Sequence, residues 1–213
     1  MKKIISFDDG AKEDLRLFDL IAKYGTFDEV IMYLPSEWIT YNLNESREPL
    51  SVEDVFELDK YLEIGSHSVT HCLLTRMPLF EAEREITESK AQLEALLNHD
   101  VTSFCCPRGY SNPELQKIIG KHYKTARNTL VGSLKPPEDP LWQSTAVHIG
   151  GKRRKEYEGS TWLEHGLRLI KEAKELEANG SEVVFHVWGH SWEMTREAAW
   201  QDTEAFFREL ENA

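Results

Sequence analysis

The sequence predicts an α/β fold built on a parallel sheet, and three observations predict it. Short β-branched apolar runs alternate with longer amphipathic ones along the chain, the pattern of repeated βα units. No internal repeat or linker interrupts them, so residues 1–213 are expected to form a single domain. Three of the apolar runs end in polar clusters: Asp8-Asp9-Gly10, His67-Ser68-Val69-Thr70-His71 and Cys106-Pro107-Arg108-Gly109-Tyr110. Strand ends that each deliver polar groups are the layout of a barrel with its site at the C-terminal face.

The elements follow in order. Residues 3–7 read as the first strand, and 14–24 as a helix with Leu15, Phe18 and Ile21 at helical spacing and Gly25 as its stop. A second strand spans 29–34 and closes at Pro35. The polar and aromatic stretch 36–49 is expected to be an irregular loop near the pocket mouth, where Trp38 and Tyr41 either stack on a sugar ring or pack half-buried. Ser51 opens a capping-box helix that runs to Tyr61. A third strand covers 62–66, and 79–97 is a long amphipathic helix whose charged faces need only solvent. The fourth strand is 101–106, after which Asn112 caps a helix with Pro113 at its first position. Short strands are expected at 124–127 and 146–149, a helix at 161–179 ended by Gly180, a seventh strand at 182–188 and a closing helix at 197–211. Between them, Lys152-Arg153-Arg154-Lys155 is either a solvated loop or a patch that steers an acidic substrate.

Composition narrows the function classes. Of 213 residues, 25 are basic and 37 acidic, a net charge of −12. That balance argues against nucleic acid and against an anionic membrane as partners, because phosphate contacts need a basic face. A hydrophobic content of 40% allows a sizeable core, yet no apolar run reaches membrane-spanning length. Lys2-Lys3 precedes only a strand-length apolar run, so no secretion signal is read and a cytoplasmic location is expected. The three cysteines, Cys72, Cys105 and Cys106, are an odd count that suits a reducing compartment.

The polar clusters carry the chemistry. Asp8 and Asp9 end a strand, where Gly10 supplies the backbone freedom to aim both carboxylates at one pocket. One can then bind a cation while the other acts as a base, although the same triplet is also an ordinary turn. His67 and His71 are four residues apart, which on a helical turn puts both imidazoles on one side. Such a pair either ligates a zinc-type ion or merely packs.

Taken together, Ser6-Phe7-Asp8-Asp9-Gly10, the His67/His71 pair and Phe104-Cys105-Cys106-Pro107-Arg108-Gly109-Tyr110 resemble, in order and spacing, the first three motifs of the polysaccharide deacetylases (carbohydrate esterase family four, the NodB-homology domain). The resemblance implies a distorted, incompletely closed (β/α) barrel of about seven parallel strands. It implies Asp8 as the catalytic base, and Asp9, His67 and His71 as ligands of a divalent metal. Zinc is the default and cobalt or nickel would suit the same donors. It gives Arg108, which stands where the family usually has an aromatic residue, the oxyanion role through its backbone N–H. The arginine that in one common family form holds the base would fall at Cys105, which cannot do this. The fourth motif is not recognisable, with Trp142 and His148 as candidates. The fifth should be a histidine at the end of the last strand: His186 is the assigned acid and His190 lies in the loop beyond. Pro107, Gly109, Tyr110, Trp188, His190 and Trp192 are the candidate substrate contacts. The implied activity is metal-dependent removal of an N-acyl group, most simply acetyl, from an amino sugar or oligosaccharide. A related hydrolase of a formamide or small cyclic amide, and a non-catalytic carbohydrate-binding relative, are the alternatives.

Overall fold

The computed structural model describes residues 1–151 and 154–213. Seven strands form one sheet: β1 (Lys2–Asp8), β2 (Glu29–Leu34), β3 (Glu63–Ser66), β4 (Ser103–Cys105), β5 (Thr125–Arg127), β6 (Val147–Ile149) and β7 (Val184–Gly189). Their order is β5-β4-β3-β2-β1-β7-β6 and every pairing is parallel. β5 and β6 are the two edges, so the sheet is a distorted, incompletely closed (β/α) barrel. The chain between them spans the open side. Asn128 N–H donates to the Gln143 carbonyl at 2.9 Å, the Leu134 carbonyl accepts from Val184 N–H at 3.0 Å, and Ala146 N–H donates to His186 at 2.8 Å.

Alternation along the strands sorts the side chains into two layers. Ile5, Phe7, Met32, Leu34, Ile64, Phe104, Phe185 and Val187 belong to the main core under the helices. Ile4, Ile31, Tyr33 and Cys105 form a second, smaller cluster. Gly65 keeps that second layer tight, since a Cβ there would lie 2.6 Å from the Tyr33 ring. The alternation that puts Ile4 in this layer carries Ser6 and then Asp8 toward the C-terminal mouth.

Eight α-helices are present among the described residues: α1 (Asp14–Tyr24), α2 (Trp38–Asn44), α3 (Val52–Leu58), α4 (Leu79–Leu97), α5 (Pro113–His122), α6 (Trp162–Ala178), α7 (Ser191–Arg196) and α8 (Trp200–Glu211). Two differ from expectation. The stretch expected to be an irregular loop contains α2, stabilised by burial of polar groups that periodicity cannot register. The Trp38 indole N–H donates to the Leu50 carbonyl at 2.9 Å, and Asn42 Nδ2 donates to the Asp9 carbonyl at 2.7 Å. The closing helix begins at Trp200 and is preceded by the separate α7, because Ala198 adopts a left-handed φ of 55° that breaks the run. No helix among the described residues is long and apolar enough to cross a membrane. Of the basic run at 152–155, Lys152 and Arg153 lie outside the described residues.

Candidate active site

The strand ends of β1, β3, β4 and β7 open into a cavity of about 560 Å³. Asp8 closes β1, and the chain turns sharply after it, with Asp9 at φ 90° and Gly10 at φ 70°. A non-glycine residue in this region is strained by about 1–3 kcal/mol, and the strain aims Asp9 at the histidines. His67 and His71 are not on a helical turn. Ser68 and His71 take left-handed φ values of 65° and 57°, and the loop is pinned from α4. Glu85 accepts from Val69 N–H at 2.9 Å and from Thr70 N–H at 3.0 Å.

The resulting donors converge. Asp9 Oδ1 lies 3.4 Å from His71 Nε2 and 3.9 Å from His67 Nε2, and it is buried with no hydrogen-bond partner among the described residues. The other oxygen, Oδ2, accepts from Trp192 Nε1 at 2.9 Å and faces Arg47 Nη1 at 3.5 Å. His67 directs Nδ1 at the Cys105 carbonyl, 2.6 Å away, which leaves Nε2 as its free lone pair. Burial pulls His67 below its ordinary value, and burial with His67 alongside takes His71 down to about 3. Both imidazoles are therefore neutral. Burial alone would raise Asp9, but His190 and Arg47 hold it below the usual carboxylate value. An orphaned carboxylate oxygen between two neutral imidazole nitrogens fits a divalent cation of the zinc type. The neighbouring grouping of Asp8, His67 and Cys105 fits less well, since burial pushes the Cys105 thiol well above its ordinary value and thiolate is the ligand form.

Asp8 has a different partner. Arg127 Nη2 donates to its Oδ1 at 2.5 Å and also reaches Oδ2, with both residues buried. Burial opposes the guanidinium charge, and Asp8 opposite restores it, so Arg127 stays protonated. The Arg127 guanidinium also lies 4.8 Å from the Trp188 ring centroid, which fixes its plane.

The sequence-assigned acid is not in the cavity. His186 is buried within β7, its Nε2 2.9 Å from Ser6 Oγ, and burial followed by Arg127 takes it down to about 3. The strand runs on past the apolar run to Gly189, and the register decides the matter: Ile4 pairs with His186 and Ser6 with Trp188. His190 is thus the residue level with Asp8, about 13 Å beyond His186 at strand rise. His190 Nε2 is 3.9 Å from both Asp8 Oδ2 and Asp9 Oδ2, and its Nδ1 is 3.0 Å from Glu193 Oε2. Burial lowers it, but the Glu193 hydrogen bond and the two aspartates outweigh burial and bring it to about 9. Glu193 in turn meets His148 Nε2 at 2.9 Å, and His148 stacks on Trp188 with centroids 3.9 Å apart.

The remaining expected contacts divide. Arg108, Gly109, Tyr110, Trp188, His190 and Trp192 line the cavity, whereas Pro107 is buried and does not. Arg108 takes a left-handed φ of 60°, and Gly109 N–H is engaged with the Cys106 carbonyl at 2.8 Å. Tyr41 lines the cavity too, stacked on His71 at 4.3 Å, while Trp38 is buried away from it. Trp142 does not line it.

A sequence model of the polysaccharide deacetylase family matches residues 2–126. The chain belongs to that family. Solved structures agree in fold. The Streptococcus pyogenes deacetylase PplD, in complex with acetate, is 19% identical with a TM-score of 0.57 over 66% of this chain and 62% of its own. The family 4 carbohydrate esterase from Streptomyces lividans, also with acetate, is 14% identical with a TM-score of 0.59 over 99% and 85%. A wild-type family pseudoenzyme from Bacillus anthracis is 14% identical with a TM-score of 0.63 over 99% and 60%. The chain therefore spans less than two thirds of the streptococcal and Bacillus anthracis structures. No curated protein matches the sequence.

Two residues of this family member were not legible in the sequence. Cys105 stands at the place of the motif arginine, and its cross-strand partner is Arg127. The guanidinium that reaches Asp8 thus comes from the adjacent strand at the same level. A lone arginine closing a short strand was the available signal, since a buried guanidinium demands a partner. Glu193, one turn beyond His190, lies on α7, a helix that precedes the closing helix expected at 197–211.

Proposed function

We propose that this polysaccharide deacetylase is a metal-dependent hydrolase that removes an N-acyl group, most simply acetyl, from an amino sugar or oligosaccharide. The observation that carries the reading is the buried, unpartnered Asp9 Oδ1 between His67 Nε2 and His71 Nε2, beside a separately paired Asp8. Asp9, His67 and His71 would hold the metal, with zinc the first choice and cobalt or nickel compatible with the same donors. When bound, such an ion lowers the pKa of water and polarises an acyl oxygen.

The chain's own groups do the rest. Asp8, oriented by Arg127, accepts the proton of the attacking water as its oxygen adds to the acyl carbon. Arg108 N–H donates to the acyl oxygen as charge gathers there. His190, rather than the buried His186, gives its proton to the nitrogen as the C–N bond breaks, and Glu193 orients its ring. Tyr110, exposed in the cavity, favours a sugar ring over a small amide, because a free aromatic face suits the apolar face of a pyranose. A screen of metal-supplemented protein against acetylated amino sugars, oligosaccharides, formamides and cyclic amides tests the reading. Chelator-sensitive acetate release from the sugars is expected. Turnover confined to small amides, or none on any substrate, would overturn it.

A further inference from the structure

We infer that the cavity takes an anionic substrate, in which a carboxylate or phosphate on the N-acylated sugar is bound by Arg108 and Arg154. The inference rests on the deacetylase reading and narrows its substrate class. It starts from a charge anomaly. The chain carries −12 overall, yet Arg47, Arg108 and Arg154 all line this cavity, against the carboxylates Asp8, Asp9 and Glu45. Asp8 is neutralised from below by Arg127, and Asp9 faces two imidazoles and Arg47. Arg154 faces Glu156 at 3.7 Å, which leaves Arg108 as the cavity guanidinium with no ion pair among the described residues, while Glu45 sits just beyond α2 with Arg47 in sequence.

Arg108 and Arg154 line the same cavity, and the turn that carries the one and the side chain of the other both adjoin Thr129. A Cβ on Gly109 would lie 2.0 Å from Thr129 Oγ1, so the turn that carries Arg108 rests directly on Thr129. The carbonyl of the same Thr129 accepts from Arg154 Nη2 at 3.0 Å. Arg154 is further held with Nη1 3.4 Å from His148 Nδ1, Nε 3.7 Å from Glu156 and its guanidinium 5.7 Å from the Trp188 ring. Arg108 is exposed and has no ion pair or hydrogen bond to a side chain among the described residues. One guanidinium is thus fixed and its neighbour is free to close on a ligand. A pair of guanidinium forks is the geometry that recognises carboxylate or phosphate oxygens. Tyr110, exposed in the same cavity two residues beyond Arg108, offers a ring face for the sugar that carries the charged substituent. The basic run of the sequence therefore acts at the cavity through Arg154.

The test compares three probes on metal-loaded protein: N-acetylglucosamine, N-acetylmuramic acid for a carboxylate, and N-acetylglucosamine 6-phosphate for a phosphate. The readout is the ratio of kcat/KM for each anionic probe to that of the neutral one. At least one ratio should be about 10 or more, since hydrogen bonds to charged groups are the strong ones, and the arm that shows it identifies the anion. Arg154→Ala and Arg108→Ala should each cut that ratio by about 10-fold, and Arg154→Glu should invert it. Ratios near unity in the unmodified protein, or a high ratio unmoved by all three substitutions, would overturn the inference. Binding of the same probes to metal-loaded Asp8→Asn protein separates the two readings. Anion-selective binding to that variant, without acetate release from any probe by the unmodified metal-loaded protein, sinks the deacetylase reading and leaves the subsite. Equal binding of charged and neutral probes removes the subsite alone.

Discussion

Asp8 and Asp9 are adjacent, both buried, and chemically separated by their partners. Asp9 presents an unshared oxygen to two neutral imidazoles, whereas Asp8 is held by Arg127. Their substitutions should therefore differ in kind. Asp9→Ala, like His67→Ala and His71→Ala, should lose bound metal on dialysis, because a three-donor site missing one donor binds poorly. Asp8→Asn should keep metal and lose turnover by about 10²–10⁴-fold, the usual size of a general-base contribution. Metal analysis beside turnover distinguishes them, and full metal retention in Asp9→Ala would refute the ligand assignment. Arg127 gives a second contrast. Arg127→Met leaves Asp8 buried without its cation, a loss of about 3–5 kcal/mol of stability at neutral pH. Because Cys105 is its cross-strand partner, Cys105→Arg in the same chain should recover part of both stability and turnover. Urea unfolding of the two variants checks this, and no recovery would mean that the place of the guanidinium matters more than its presence.

At the level of elements, the site depends on where strands end and on what pins the loops that follow. Glu85 on α4 touches no metal donor, yet it holds the loop from Ser68 to His71 through Val69 and Thr70. Glu85→Ala should weaken metal affinity by about 10–100-fold, as removal of outer-shell supports does, with little change in helix content. A metal titration beside far-ultraviolet circular dichroism reads both, and unchanged affinity would show that the left-handed residues hold the loop unaided. Much of this architecture was legible in the sequence. Apolar runs placed all seven strands, and Asp8, Asp9, His67 and His71 could be named because they are local motifs. What was not legible depends on pairing between strands or on buried polar contacts. His186 and His190 lie on one strand direction, and only the register with β1 shows which is level with Asp8. Arg127 replaces a residue of β4 from β5, a relation that no local pattern records. α2 is held by the Trp38 and Asn42 side chains bonding to backbone carbonyls, which gives its sequence the look of a polar loop.

At the scale of the molecule, the barrel is open between β5 and β6, and the residues at 128–146 span the gap. This same edge supplies Arg127 below Asp8 and Thr129 to the cavity wall. A metal held by Asp9, His67 and His71 would join β1 to the loop after β3, on the opposite part of the sheet. Folding and metal binding should accordingly be linked. A ligand at 100 times its Kd adds about 2.7 kcal/mol, and for a chain of this size each kcal/mol moves Tm by about 2–4 °C. Zinc should thus raise Tm by about 5–10 °C in the unmodified protein and in Asp8→Asn, but not in Asp9→Ala. A scanning fluorimetry series checks this, and an equal rise in Asp9→Ala would place the ion elsewhere.

The central claim, that Asp9, His67 and His71 hold the ion on which deacylation by Asp8 depends, has one direct measurement. Chelator-stripped protein is titrated with zinc while acetate release from an N-acetylated amino-sugar oligosaccharide is followed. Release should be absent without metal, rise with each addition, and level off at one ion per chain, with Asp9→Ala silent throughout. Release that ignores the metal, that saturates at a different stoichiometry, or that persists in Asp9→Ala would contradict the account.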